Sequence, residues 1–116
     1  MALGAPDGEI PQPDLFQGQI SIGAGRLRKR EYAHAARAFA RASRLAETPN
    51  DRELARGLVH LAAAGYRGLG GDTAGRERQL AHARRRLAPF LPSARRVDVE
   101  VLLRSVEGGR GPERAG

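Results

Sequence analysis

The chain has 116 residues, no cysteine and a formal net charge of +7, with Lys29 the only lysine among 20 basic residues. That length is about one domain and is enough for a single buried core. The missing cysteines exclude disulfides, thiolate metal sites and a cysteine nucleophile, and no apolar window approaches the roughly 20 residues that cross a bilayer. The opening MALGAPDGEIPQPD has no basic segment followed by an apolar run, so the expectation is a soluble, unexported, cytoplasmic protein without a membrane partner. The basic excess speaks to association with acidic partners rather than to fold, and the joint abundance of arginine, alanine and glycine also fits a compositional bias.

Residues 1–13 carry Gly4, Pro6, Gly8, Pro11 and Pro13 with few apolar side chains, which predicts a flexible arm. Asp14 is the expected N-cap of a first helix carrying Leu15, Phe16, Ile20 and Leu27, with a break or fray at Gly18, Gly23 or Gly25. In the second helix Tyr32, Ala35, Ala36, Phe39, Ala42, Leu45 and Ala46 form an apolar stripe, with Arg37, Arg41 and Arg44 to the sides or behind. Thr48-Pro49-Asn50-Asp51 stops it and offers Asn50 or Asp51 as the next cap. The third helix, RGLVHLAAAGYRGLGG at its core, places Leu54, Leu58, Leu61, Ala62, Gly65 and Leu69 on one stripe; its small residues invite close neighbours, and Gly70 or Gly71 supplies the left-handed residue that ends it. Asp72 or Thr73 caps a fourth helix with Leu80, Ala83, Leu87 and Leu91 inward, ended by Pro89 and Pro92. Residues 97–107 alternate like a strand at Val97, Val99 and Val101, yet repeat like a helix at Val99, Leu102, Leu103 and Val106 behind Asp98. The helix is preferred because no partner strand exists elsewhere. The fold class is therefore all-α, a single small bundle of about five helices in antiparallel hairpins over residues 14–107, with a disordered tail at 108–116.

Chemistry-bearing residues are sparse. His34, His60 and His82 lack the spacing of a zinc helix and read as boundary residues. Ser21, Ser43, Ser93 and Ser105 stand in no nucleophile-elbow context, and no carboxylates pair. No catalytic residue, metal ligand or cofactor site is assigned. One cluster has functional weight: Arg76, Arg78, Arg84, Arg85, Arg86, Arg95 and Arg96, set against Glu77 alone, make a candidate polyanion surface on the fourth helix and its exit. Tyr32, Tyr66, Phe16, Phe39 and Phe90 are expected in the core, leaving no stacking platform for single-stranded nucleic acid.

The order of segments REYAHAARAF at 30–39, RGLVHLAAAGYR at 56–67, RGLGGDTAGRERQLAHARRRL at 67–87 and VDVEVLL at 97–103 resembles the family known as domain of unknown function 309. The family's second segment typically reads Gln-Gly-Leu-Ile-Gln-Leu-Ala-Ala-Ala, matched by Gly57 to Ala64 with Ala62 among the alanines, and the aspartate that opens its last segment is matched by Asp98. Its His-Glu pair, anchored here on Tyr32, is replaced by Ala36 and Arg37, and a histidine frequent after the central alanines is replaced by Tyr66. The resemblance implies a bundle of about five helices and supplies no activity. Tyr32, Ala35, Phe39, Ala42 and Pro49 also resemble part of a tetratricopeptide repeat, although no second copy follows at a fixed period. The function expected is non-enzymatic, through contacts with a protein partner or a second copy. The alternatives are a nucleic-acid-associated protein using the arginine face, and a metal-dependent enzyme related to the family's His-Glu motif.

Overall fold

A computed structural model describes residues 14–108; the expectations for residues 1–13 and 109–116 lie outside the described residues. Five α-helices follow one another: α1 Leu15–Arg28, α2 Tyr32–Leu45, α3 Pro49–Leu69, α4 Thr73–Leu87 and α5 Val99–Glu107, with a short 3-10 turn Ala88–Phe90 after α4. Adjacent helices pack antiparallel into an all-α bundle, and α5 rests against α1, α3 and α4. Among the described residues there is no strand, only an isolated bridge between Ala94 and Val97.

The aspartate caps hold as expected. Asp14, Asp72 and Asp98 each accept from the backbone N–H three residues on, at 3.0, 2.8 and 3.0 Å. The cap of α3 differs: Thr48 Oγ1 accepts from Asp51 N–H at 3.0 Å, with Pro49 in the first turn, because proline needs no N–H partner there and leaves the threonine as the half-in residue. α1 does not break at its glycines. Gly23 is the reason a glycine is tolerated in mid-helix: a methyl group there would overlap the Phe39 ring of α2. The ends of α1 and α3 share one device. Arg30 and Gly71 take left-handed φ values of 65° and 82°, and Glu31 and Asp72 then return their N–H groups to Arg26 O and Arg67 O, each at 2.9 Å. Arg26 also pairs with Glu31 and Arg67 with Asp72.

α3 is the axis of the core. Leu54, Leu58, Leu61 and Ala62 are fully buried, and Ala55, Gly57, Ala64 and Gly65 are buried beside them. Its small residues receive large neighbours: the Tyr32 ring of α2 lies on Gly65 and Leu87 of α4 lies on Gly57. Several expected core residues lie outside. Tyr66 and Leu69 are 59% and 64% exposed, because Tyr32, the first residue of α2, already sits on Gly65 and the rest of α3 runs past it. Leu15 and Leu91 are exposed at or beyond helix ends, and Leu45 is exposed on the last turn of α2; Ala38, in mid-helix and outside the expected stripe, is buried. Phe90 is only half-buried against the core. In the fifth segment Val97 closes the bridge and the helix begins at Val99.

Candidate interaction surface

The arginines of α4 are mostly spent on the bundle itself. Arg76 is 8% exposed: its Nη2 donates to the carbonyls of Val106 and Glu107 at 2.9 and 3.0 Å, and its Nη1 pairs with Glu77 at 2.6 Å. A guanidinium is thus placed on the unsatisfied carbonyl end of α5, where both hydrogen bonding and the helix dipole favour it. Arg84 Nε meets Glu107 at 2.6 Å, and Arg86 Nη1 crosses to Glu53 of α3 at 2.7 Å. Arg95 lies over the Phe16 ring and pairs at 3.4 Å with both Asp14 and Asp51. The row expected to face phosphates is therefore largely neutralised, and only Arg78, Arg85 and Arg96 remain exposed without an acidic partner among the described residues. Arg85 Nη2 donates instead to His82 Nδ1 at 3.1 Å.

The unpaired charge lies elsewhere. Arg37, Arg41 and Arg44 follow at steps of four and three along the outward face of α2, all exposed, and α3 adds Arg52 and Arg56. None has an acidic partner among the described residues. No acid occurs in α2 at all, and the acids near the start of α3 are turned away: Glu53 to Arg86 of α4, Asp51 to Arg95. Between these arginines the surface is small and apolar. Ala33, Ala36, Ala40 and Ser43 on α2, with Val59 and Ala63 on α3, are half-buried. On a 3.6-residue turn, Ala36, Ala40 and Ser43 share the side of α2 on which Tyr32 meets α3, while Val59, Ala63, Arg52 and Tyr66 share the outward side of α3. By helix geometry the two helices therefore bound a shallow furrow with cationic walls. No side-chain hydrogen bond or salt bridge crosses it among the described residues, whereas the seam between α3 and α4 is closed by Arg86 with Glu53 and by His60 Nδ1 with Gln79 Oε1 at 2.7 Å.

The histidines separate. His60 and His82 stack with ring centroids 5.0 Å apart, and His34 takes no part in this contact. Because His82 Nδ1 accepts from Arg85, the neutral ring carries its proton on Nε2. Burial, then the neighbouring His60, Arg85 and Arg86, hold its pKa below the ordinary 6.5. Among the described residues no group of three or more histidines or carboxylates stands together to hold a metal ion, and no helix is long and apolar enough to cross a membrane. Two clefts open at opposite ends of the bundle. One of about 420 Å³ is lined by Leu15, Phe16, Leu45, Glu47 and Arg95 with its two aspartates, and one of about 230 Å³ by Tyr32, Leu69, Thr73 and Arg76 among others.

The positions matched to the resemblance scatter through the fold. Tyr32 is buried on Gly65, Gly57 lies against Leu87, Ala62 is fully buried and Asp98 caps α5, all of them packing or capping roles. Ala36 and Arg37 lie in the furrow and on its wall, and Tyr66 is exposed on the outward side of α3. Comparison with protein-family models, characterised proteins and solved structures found no match. The residues that sequence reasoning passed over as binding candidates are Arg41, Arg44, Arg52 and Arg56. For the arginines of α2 a signal was available, since that helix contains no acid; for Arg52 and Arg56, which flank Glu53, there was none, because that glutamate pairs with Arg86, 33 residues away.

Proposed function

We propose that this helical domain acts without catalysis, as a docking module whose outward α2–α3 face contacts an acidic protein partner. The observation that carries the reading is the set of five arginines, Arg37, Arg41, Arg44, Arg52 and Arg56, exposed or half-exposed and without acidic partners among the described residues, around an apolar strip. Exposed like charges on one face oppose one another and are relieved by a complementary surface. The resemblance to the domain of unknown function 309 family, supported by the order of its segments, is in our proposal a kinship of helix arrangement.

A second reading, contact with nucleic acid, draws support from Tyr66, whose exposed ring stands on the same face as the arginines. The apolar floor favours protein, since phosphates and sugars leave alanine and valine uncovered. Fluorescence anisotropy with labelled polyglutamate and with a labelled DNA duplex, at low and near-physiological salt, tests both. The docking reading expects polyglutamate binding that is lost in Arg37→Glu/Arg41→Glu/Arg44→Glu and retained in Arg78→Glu. Tighter duplex binding, falling with salt at a log-log slope of several units, would turn the assignment to nucleic acid. Equal behaviour of both variants would remove the α2–α3 face from consideration.

A further inference from the structure

We infer that the occupant of the α2–α3 furrow is a single amphipathic α-helix of a protein partner, with acidic side chains flanking its apolar stripe. The inference rests on the docking function proposed above and specifies what docks.

Three features of the furrow select a helix. Two antiparallel helices packed side by side, with axes roughly 8–10 Å apart, leave between them a groove that a third helix fills by its apolar stripe. The floor is made of Ala36, Ala40, Ser43, Val59 and Ala63, side chains short enough to let another backbone come close. The walls repeat at helical steps: Arg37, Arg41 and Arg44 are spaced by about 6 and 4.5 Å along the axis at 1.5 Å per residue, the same spacing as glutamates placed four and three apart on a facing helix. An extended acidic strand, with roughly 6.6–6.8 Å between alternate side chains, would fall out of step after two pairs.

Charge excludes the chain's own helices as occupants. α1 and α2 contain no acid, α4 has Glu77 alone beside its five arginines, and the glutamates of α5 are engaged with Arg104 and Arg84. Two copies joined through this furrow would set arginine against arginine. The seam between α3 and α4, by contrast, is bridged by side-chain contacts.

The test uses the whole protein and three labelled peptides of about 20 residues, long enough for a helix of ~30 Å. One carries leucines on a single helical stripe flanked by glutamates, one is a scrambled sequence of the same composition, and one is polyglutamate. Expected is binding of the first at least about tenfold tighter than that of the other two. That preference should disappear in Ala40→Gln/Ala63→Gln, whose longer polar side chains stand in the furrow, with helicity by circular dichroism reporting that this variant is folded. Equal binding of the three peptides, all abolished in Arg37→Glu/Arg44→Glu, would overturn the helical occupant while leaving the basic docking face intact. Binding of none of them would overturn both. A preference that survives Ala40→Gln/Ala63→Gln in the folded variant would place the helix elsewhere and overturn the furrow.

Discussion

Arg76 shows how far an ionisable side chain can depart from the role its neighbourhood in the sequence suggests. In a run of arginines it reads as one more surface cation, but it is the residue that closes α5, by donating to Val106 and Glu107. Arg76→Ala would leave those carbonyls unsatisfied and remove the charge from the helix end, and the expected loss is about 2–3 kcal/mol in chemical denaturation. Arg84→Ala, whose ion pair is half-exposed, is expected to cost under about 1 kcal/mol in the same measurement. A second residue-scale expectation concerns the turn Ala94–Val97, where Arg95 and Arg96 both hold left-handed φ values of 50° and 62°. Such pairs suit glycine or asparagine, and a side chain there costs roughly 1–2 kcal/mol. Arg95 is held in place by Phe16 and two aspartates, and its carbonyl accepts from Gln17 at 2.6 Å. Arg96 has no such anchor among the described residues, so Arg96→Gly is expected to add about 0.5–1 kcal/mol of stability, read as a higher denaturation midpoint.

At the level of the helices, contact is set by where a large side chain meets a glycine. The Tyr32 ring on Gly65 and the Phe39 ring on Gly23 bring α3 and α1 against α2 at distances no Cβ would allow. Gly65→Ala therefore forces Tyr32 aside although alanine is the better helix former, and a loss of about 1–3 kcal/mol is expected, read by thermal unfolding. Much of this level was legible in the sequence. The 3.6-residue stripes located every helix, and Asp14, Asp72 and Asp98 marked three starts, because a cap is a local interaction between residues three apart. What periodicity could not show is where a helix outlasts its neighbour: α3 has 21 residues and α2 has 14, so Leu69 continues the stripe of Leu58 and Leu61 with nothing opposite it. The glycines of α1 were read for their propensity, while their use is steric and depends on a ring in another helix.

For the molecule as a whole, the distribution of charge was legible only in part. The basic excess is a sum, but which cations remain free depends on pairings such as Arg86 with Glu53, 33 residues apart, and Arg95 with Asp14, 81 apart. Local sequence does not contain these. The same crowding of cations makes stability pH-dependent at the α3–α4 seam. His82 has its pKa lowered by burial and by His60, Arg85 and Arg86, so as pH falls below about 6.5 the unfolded chain takes up a proton before the folded one does. Stability should fall with pH through that window, with Gln79 and Glu53 the polar and acidic groups facing this cluster from α4 and α3. His82→Gln should flatten the dependence there, as followed by thermal melts across the range. Glu31, whose carboxyl is held below its ordinary 4.5 by its hydrogen bond with Arg26, acts in the same direction in a lower window, its share being lost only as pH falls below that value.

The absence of polar links from α2 to its neighbours has a mechanical side. Arg86 and His60 join α3 to α4, Arg76 and Arg84 join α4 to α5, and Arg95 ties the last loop to Asp14 at the start of α1 and Asp51 in α3. Among the described residues, no side chain of α2 is bonded to another helix, and rings resting on glycines hold it by contacts that have no preferred direction. Those rings fit against glycines of the neighbouring helices, so α2 is kept in register by shape and not by hydrogen bonds. It is the fitted part in an otherwise riveted frame, and a change to either ring or either glycine would loosen it with no side-chain hydrogen bond to another helix, among the described residues, left to hold it.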